Sequence, residues 1–142
     1  YSLGMAPEPY LLLSCVAILL VSCFTFTNTN IKTDDFYFSG FPAIWNIVVL
    51  YFYILESSQF TNFIFVILFC VLTFIPFKYV HPFRVVEFRR ITLIITFIWM
   101  ITTTILLLDI TFYNPTFTGT NFLIWLITNV YFAGNIVFRS IK

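Results

Sequence analysis

Five stretches of the chain contain no charged residue and are mostly apolar: residues 9–31, 36–55, 57–77, 91–108 and 110–138. A helix that crosses a membrane needs about 20 such residues. Proline, glycine and asparagine near the ends of the stretches narrow the predicted spans to about 10–27, 42–55, 58–77, 91–108 and 121–138. No stretch alternates apolar and polar residues as a barrel strand does. The predicted fold class is therefore all-α, a polytopic transmembrane helix bundle with about five spans.

The charged residues sort between the two sides of this arrangement. Five spans leave six flanking regions, which must alternate across the membrane. All seven basic residues fall in one alternate set, residues 28–40, 78–90 and the tail after 138. The opposite set contains Glu8, Glu56 and Asp109 and no lysine or arginine. The positive-inside rule then places the N-terminus outside and the C-terminus in the cytoplasm.

Composition agrees with a lipid environment. Hydrophobic residues make up 61% of the 142 residues and charged residues 9%, whereas a soluble domain carries about 25% charged residues. The net charge of +1 argues against a nucleic-acid partner bound through a broad basic face. Because no charged residue lies within a span, an ion relay, a transporter or a channel is the weakest functional hypothesis.

The sequence offers no set of metal ligands. The only histidine is His81, and the three cysteines, Cys15, Cys23 and Cys70, lie in apolar stretches without a CxxC pair. A structural zinc site needs about four converging ligands. We therefore expect the cysteines to be small buried thiols that pack between helices.

Two predicted cytoplasmic stretches carry residues suited to binding. Residues 32–46 read KTDDFYFSGFPAIWN and lead into a helix N-terminus, whose free N–H groups suit a phosphate. A lysine there adds a cation, and aromatic rings attract a quaternary ammonium. Residues 76–90 alternate aromatic and basic residues, an arrangement that suits an anionic lipid headgroup. The alternative for both stretches is an ordinary cytoplasmic loop with interfacial aromatic and basic anchors.

The same stretches resemble a known family. Residues 32–46, residues 72–85 (LTFIPFKYVHPFRV) and the opening YSLGM with Glu8-Pro9 are similar, in order and spacing, to segments of bacterial phosphatidylcholine synthases. These enzymes belong to the CDP-alcohol phosphatidyltransferases. The resemblance implies a reaction of CDP-diacylglycerol with choline that gives phosphatidylcholine and CMP, with Mn²⁺ or Mg²⁺ as cofactor, in the bacterial inner membrane. The resemblance is also compatible with a homodimer.

One departure limits what the resemblance implies. The catalytic signature of the superfamily, D-x2-D-G-x2-A-R-x8-G-x3-D-x3-D, supplies the metal ligands and the base. This chain has only Asp34, Asp35 and Asp109, and none begins that pattern. We therefore expect residues 1–142 to be one membrane domain that forms the C-terminal part of a longer enzyme, about spans four to eight of eight, and to be inactive alone. A small non-catalytic membrane subunit, complete as it stands, is the alternative.

No catalytic residue or metal ligand is assigned to this chain. We expect Lys32 to contact a phosphate and Phe36, Tyr37 or Trp45 to pack near choline. For Asp34 and Asp35 three roles are equally expected: to cap the turn, to offset Lys32 or to attract the choline cation. The full set of expected substrate-binding residues is Lys32, Asp34, Asp35, Phe36, Tyr37, Gly40, Pro42, Trp45, Asn46, His81 and Arg84.

Overall fold

The computed structural model describes residues 6–28, 37–112 and 119–141. Within these residues the chain is mostly helical and forms five helices. Three of them, α1 (Tyr10–Thr27), α4 (Arg89–Phe112) and α5 (Thr120–Ile141), are long and apolar enough to cross a membrane. The other two, α2 (Trp45–Ile54) and α3 (Gln59–Leu72), are apolar but shorter. The predicted helical class is therefore confirmed, together with three candidate spans.

The start of α2 and the end of α3 lie at turns that the hydrophobic pattern of the sequence does not locate. α2 begins at Trp45, beyond Pro42, because the Ile44 N–H donates to the Pro42 carbonyl at 2.7 Å and forms a tight turn first. With 10 residues, α2 is about 15 Å long at 1.5 Å per residue, against about 30 Å for a hydrocarbon core. α3 ends at Leu72, and turns occupy residues 73–75.

The described residues group into two compact units. The first contains residues 6–28 and 38–77, with α1, α2, α3 and the two-residue strand β1 (Phe38–Ser39). Its helices α1 and α3 run in the same direction, because stacked rings join their beginnings and tilted rings join their ends. Tyr10 lies 5.0 Å from Phe63, and Phe24 lies 5.0 Å from Phe74.

The second unit contains Tyr37 and residues 78–112 and 119–141, with α4, α5 and the two-residue strand β2 (Lys78–Tyr79). Helices α4 and α5 are antiparallel, because late residues of α4 meet early residues of α5. Asn121 Nδ2 donates to the Thr102 carbonyl at 3.1 Å, and Thr92 Oγ1 lies 2.8 Å from the Tyr131 hydroxyl.

Several hydroxyl side chains within the helices form hydrogen bonds to the backbone of their own helix. The hydroxyls of Ser14, Ser22, Thr25 and Thr96 each donate to the carbonyl four residues earlier. Such bonds remove the cost of an unpaired polar group in lipid. Many large apolar side chains remain exposed on the helices, among them Leu12 at 75% and Phe26 at 81%. An apolar surface of this extent suits lipid rather than water.

The cysteines correct one expectation. Cys70 is buried as predicted, but Cys15 and Cys23 are exposed on α1. Periodicity could not distinguish these faces, because α1 is apolar on all sides.

Candidate functional site

A corner centred on Gly40 organises the middle of the first predicted binding stretch. The Gly40 N–H donates to the Phe77 carbonyl at 2.9 Å, and the Phe41 N–H donates to the Leu72 carbonyl at 3.1 Å. Gly40 has a φ of +88°, and a Cβ built there would lie 2.2 Å from the Thr73 carbonyl oxygen. Glycine is thus required both by the left-handed backbone and by the close approach of residue 73.

Aromatic residues fill this corner in the first unit. The Phe41 ring stacks on Phe69 at 4.6 Å and meets the edge of Trp45 at 5.6 Å. Pro42 is buried beside Phe41, whereas Asn46, on the first turn of α2, is exposed. The Trp45 Nε1 is buried and has no hydrogen-bond partner within the described part of the chain. The corner therefore combines a rigid turn with an indole at a helix N-terminus.

Tyr37 belongs to the second unit, where it meets a buried cation. Its ring is 3% exposed, and the Arg139 guanidinium carbon lies 5.5 Å from the ring centroid. That distance is within the range of a cation–π attraction. Arg139 lies in the last turn of α5 and is 7% exposed. Its Nη2 also forms an ion pair with the Glu87 carboxylate.

The second predicted binding stretch leads from β2 into a turn. The Lys78 N–H donates to Ser140 Oγ at 2.9 Å, which fastens β2 to the end of α5. The N–H groups of Arg84 and Val85 both donate to the His81 carbonyl at 3.1 Å, and Val85 is buried. Arg84 is exposed. The Arg84 side chain therefore extends from a turn with a buried residue at its base.

Burial and a neighbouring charge act on the titratable groups of this turn. Burial lowers the pKa of His81 from its usual value, and the positive charge of Arg84 lowers it further, partly opposed by a backbone hydrogen bond. Burial also raises the pKa of the Tyr79 phenol. His81 is therefore biased towards its neutral form at neutral pH.

The expected binding residues are divided by the structure. Lys32, Asp34, Asp35 and Phe36 lie outside the described residues. Gly40, Pro42, Trp45 and Asn46 belong to the first unit, and Tyr37, His81 and Arg84 to the second.

Three residues at the end of the second unit were missed by the sequence analysis as site residues: Glu87, Arg139 and Ser140. The basic character of Arg139 was used only to orient the chain. The one local signal is that Arg139 is the basic residue in the last turn of α5.

The metal implied by the family resemblance has no ligand set among the described residues. Across residues 6–28, 37–112 and 119–141, no group of three or more His, Cys, Asp or Glu residues could hold a metal ion. The described residues do not fit the metal, and no chemical step is derived through it.

Similar proteins are known by sequence. A phosphatidylcholine synthase of Pseudomonas aeruginosa is 37% identical over 136 residues, which are 96% of this chain and 56% of that relative. One of Legionella pneumophila is 46% identical over 81 residues, 57% of this chain and 32% of the relative. One of Borreliella burgdorferi is 41% identical over 91 residues, 64% of this chain and 39% of the relative.

Each match covers only part of the relative's length. The chain spans about half, or less, of the length of the curated relatives it matches. No family model matches the chain. No solved structure matches it.

Proposed function

We propose that this homologue of bacterial phosphatidylcholine synthases is the membrane-embedded C-terminal portion of such an enzyme. The observation that carries the proposal is the 37% identity over 96% of the chain to the Pseudomonas aeruginosa relative. The resemblance read from residues 32–46 and 72–85 is thereby confirmed as homology. The proposal extends it to the reaction, the substrates and the place of this chain within the enzyme.

The proposed reaction joins CDP-diacylglycerol and choline. The choline hydroxyl oxygen forms a bond to the phosphatidyl phosphorus, the bond from that phosphorus to CMP breaks, and the hydroxyl proton passes to a base. The products are phosphatidylcholine and CMP. No residue of this chain is assigned as the base or as a ligand of Mn²⁺ or Mg²⁺, because the four-aspartate signature is absent from the sequence. This chain would bind and orient substrates beside a catalytic core supplied by earlier spans.

The proposed binding region lies at the cytoplasmic surface. Five spans with the N-terminus outside would place residues 28–40 and 78–90 together on that side. The headgroup of CDP-diacylglycerol is presented there by the bacterial inner membrane. The parallel pair α1 and α3 and the antiparallel pair α4 and α5 support an alternating path of this kind.

Individual roles follow the chemistry of the side chains. Lys32 would contact a phosphate as a point charge. Phe36, Tyr37 or Trp45 would pack near the choline cation. Of these, Tyr37 already lies against one cation, Arg139. His81 and Arg84 would face the anionic surface of the membrane from the turn after β2.

A small membrane subunit without catalytic activity is the second candidate. The absence of the four-aspartate signature from residues 1–142 favours it. The two candidates differ in what the gene encodes before Tyr1.

Reading the coding sequence upstream of Tyr1 tests the proposal. We expect an in-frame extension with three more apolar segments that contain D-x2-D-G-x2-A-R, and choline-dependent CMP release by the extended protein. A start codon directly before Tyr1 would reject the enzyme proposal for this chain and favour the subunit.

A further inference from the structure

Arg139 is a buried cation in the last turn of α5. Its side chain is 8% exposed and packs under the rings of Tyr37 and Phe138, whose centroids lie 5.5 and 5.7 Å from the guanidinium carbon. A buried charge is costly unless it is paired and hydrogen-bonded. Two aromatic faces compensate that cost only in part.

Some hydrogen-bond donors of the Arg139 guanidinium have no acceptor among the described residues. It carries five N–H donors in a planar fork, of which Nη2 meets the Glu87 carboxylate. Both Nε and Nη2 are buried, and neither has a geometrically regular hydrogen bond among the residues that the structure describes, although Nη2 is ion-paired with Glu87. A ligand that presents two oxygen atoms side by side engages Nε and Nη2 together, as phosphate and carboxylate groups do in bidentate pairs.

The Glu87 carboxylate contacts the Arg139 guanidinium but is not held there by burial. Its side chain is 62% exposed, in contrast to the guanidinium that it contacts. It lies in the turn before α4, and the next residue, Phe88, has a left-handed φ of 56°. An exposed carboxylate is already largely hydrated and loses little when it returns to water, and a phosphate in its place would keep the buried guanidinium paired.

The surroundings favour a second anion in its place. The turn and the start of α4 expose three basic side chains, those of Arg84, Arg89 and Arg90. Residues 78–90 contain a single carboxylate, that of Glu87. A phosphate group approaching this end of the unit is attracted by the basic side chains before it contacts Arg139.

We propose that Arg139 is a phosphate-binding residue and that the Glu87 carboxylate is its displaceable counter-charge. The ligand is a phosphate or diphosphate group, carried either by a lipid headgroup or by a soluble molecule. In the ligand-free chain Glu87 neutralises Arg139. A phosphate displaces Glu87 into solvent and takes both Nε and Nη2. The proposal rests on the geometry of the second unit and needs no catalytic activity of the chain.

Arginine side-chain NMR in phosphate-free dodecyl maltoside micelles tests this directly. The Nε–H signal of Arg139 is identified by its loss in Arg139→Lys. Inorganic pyrophosphate forms the soluble arm, and phosphatidic acid added to the micelles forms the lipid arm. We expect a saturable downfield shift of this proton. A shift in the lipid arm alone identifies a headgroup site, and a shift in both identifies a general phosphate site. No shift in either arm at about 10 mM, where sites with Kd near 1 mM would be filled, overturns the proposal.

Glu87→Gln separates displacement from a purely structural ion pair. Loss of the competing carboxylate is expected to tighten phosphate binding about tenfold, as a change of about 1.4 kcal/mol would. Glu56→Gln is the matched control, because it removes an exposed carboxylate in the other unit and should leave the affinity unchanged. Equal affinity in the native chain and Glu87→Gln contradicts displacement. Because the readout is binding, this test can fail while the synthase proposal holds, and the reverse.

Discussion

The indole Nε1 of Trp125 donates a hydrogen bond to Thr103 Oγ1 at 3.0 Å, and both residues are buried between α4 and α5. The Thr102 carbonyl accepts from Asn121 in the same region, and Thr92 meets Tyr131 nearer the other end. Three polar contacts thus fix the register of two helices whose remaining surface is largely apolar. In lipid, such bonds and close packing hold helices together, because the hydrophobic effect does not.

Thr103→Val should therefore destabilise the α4–α5 pair by about 1–2 kcal/mol, because it keeps the side-chain shape but removes the hydroxyl that accepts from the buried Trp125 N–H. Unfolding in mixed micelles with increasing SDS measures the change. Thr104→Val is the matched control, since Thr104 is exposed and its hydroxyl donates to the Met100 carbonyl of its own helix. Equal effects of the two substitutions would show that the interhelical bond contributes nothing.

Gly40→Ala should destabilise the corner of the first unit by about 2 kcal/mol or more. The new Cβ would lie 2.2 Å from the Thr73 carbonyl oxygen, and alanine disfavours a φ of +88°. Gly134→Ala is the control within α5, where no atom of the described residues, apart from the local helix backbone and the neighbouring residues, lies within 4 Å of the added Cβ. We expect it to be neutral or stabilising by up to about 1 kcal/mol, because alanine is the better helix former. The same SDS titration compares them, and a harmless Gly40→Ala would refute the close approach.

His81 should titrate below its usual pKa in the folded chain. The native state then binds fewer protons than the unfolded state, so its contribution to stability is present above the unfolded pKa of about 6.5 and is lost as the pH falls through the folded pKa. Arg84→Gln removes the neighbouring positive charge and should raise the pKa of His81. The imidazole NMR shifts, followed against pH, measure both. Arg90→Gln, a loss of the same charge from the exposed start of α4, serves as the control. An unchanged His81 pKa in Arg84→Gln would exclude the electrostatic contact.

The orientation predicted from the charges is tested by reporter fusions in a bacterial inner membrane. Green fluorescent protein fused after residue 142 should fluoresce, and alkaline phosphatase fused there should be inactive, because the C-terminus is expected in the cytoplasm. Alkaline phosphatase fused after Glu56 should be active. The opposite pattern at both positions would invert the orientation, and activity of alkaline phosphatase at both would contradict alternation of the spans.

The helical class followed from the sequence because charge-free apolar stretches have one common solution in lipid, a helix with all backbone groups satisfied. The three long helices α1, α4 and α5 were predictable for this reason. The ends of α2 and α3 did not follow, because they depend on hydrogen bonds between residues 40–41 and 72–77, which lie far apart in the sequence. That α2 and α3 cross the membrane stays a prediction.

The site was predictable to the extent that motifs are local. Residues 32–46 and 72–85 revealed the homology, and Gly40 was recognised as a motif member. Its physical requirement, the Thr73 carbonyl, is not local. The pairing of Arg139 with Glu87 and Tyr37 likewise joins three separate segments, so no spacing or periodicity could indicate it. Arg139, whose charge served in the sequence only to predict the orientation, is also a buried cation.

The most direct measurement of the central claim is an exchange of parts with an active relative. In the Pseudomonas aeruginosa enzyme, the segment aligned with 136 residues of this chain is replaced by those residues, and choline-dependent CMP release from CDP-diacylglycerol is assayed in isolated membranes. We predict release by the chimera and none by residues 1–142 alone. A chimera that inserts and accumulates like the unaltered relative but releases no CMP would contradict the account.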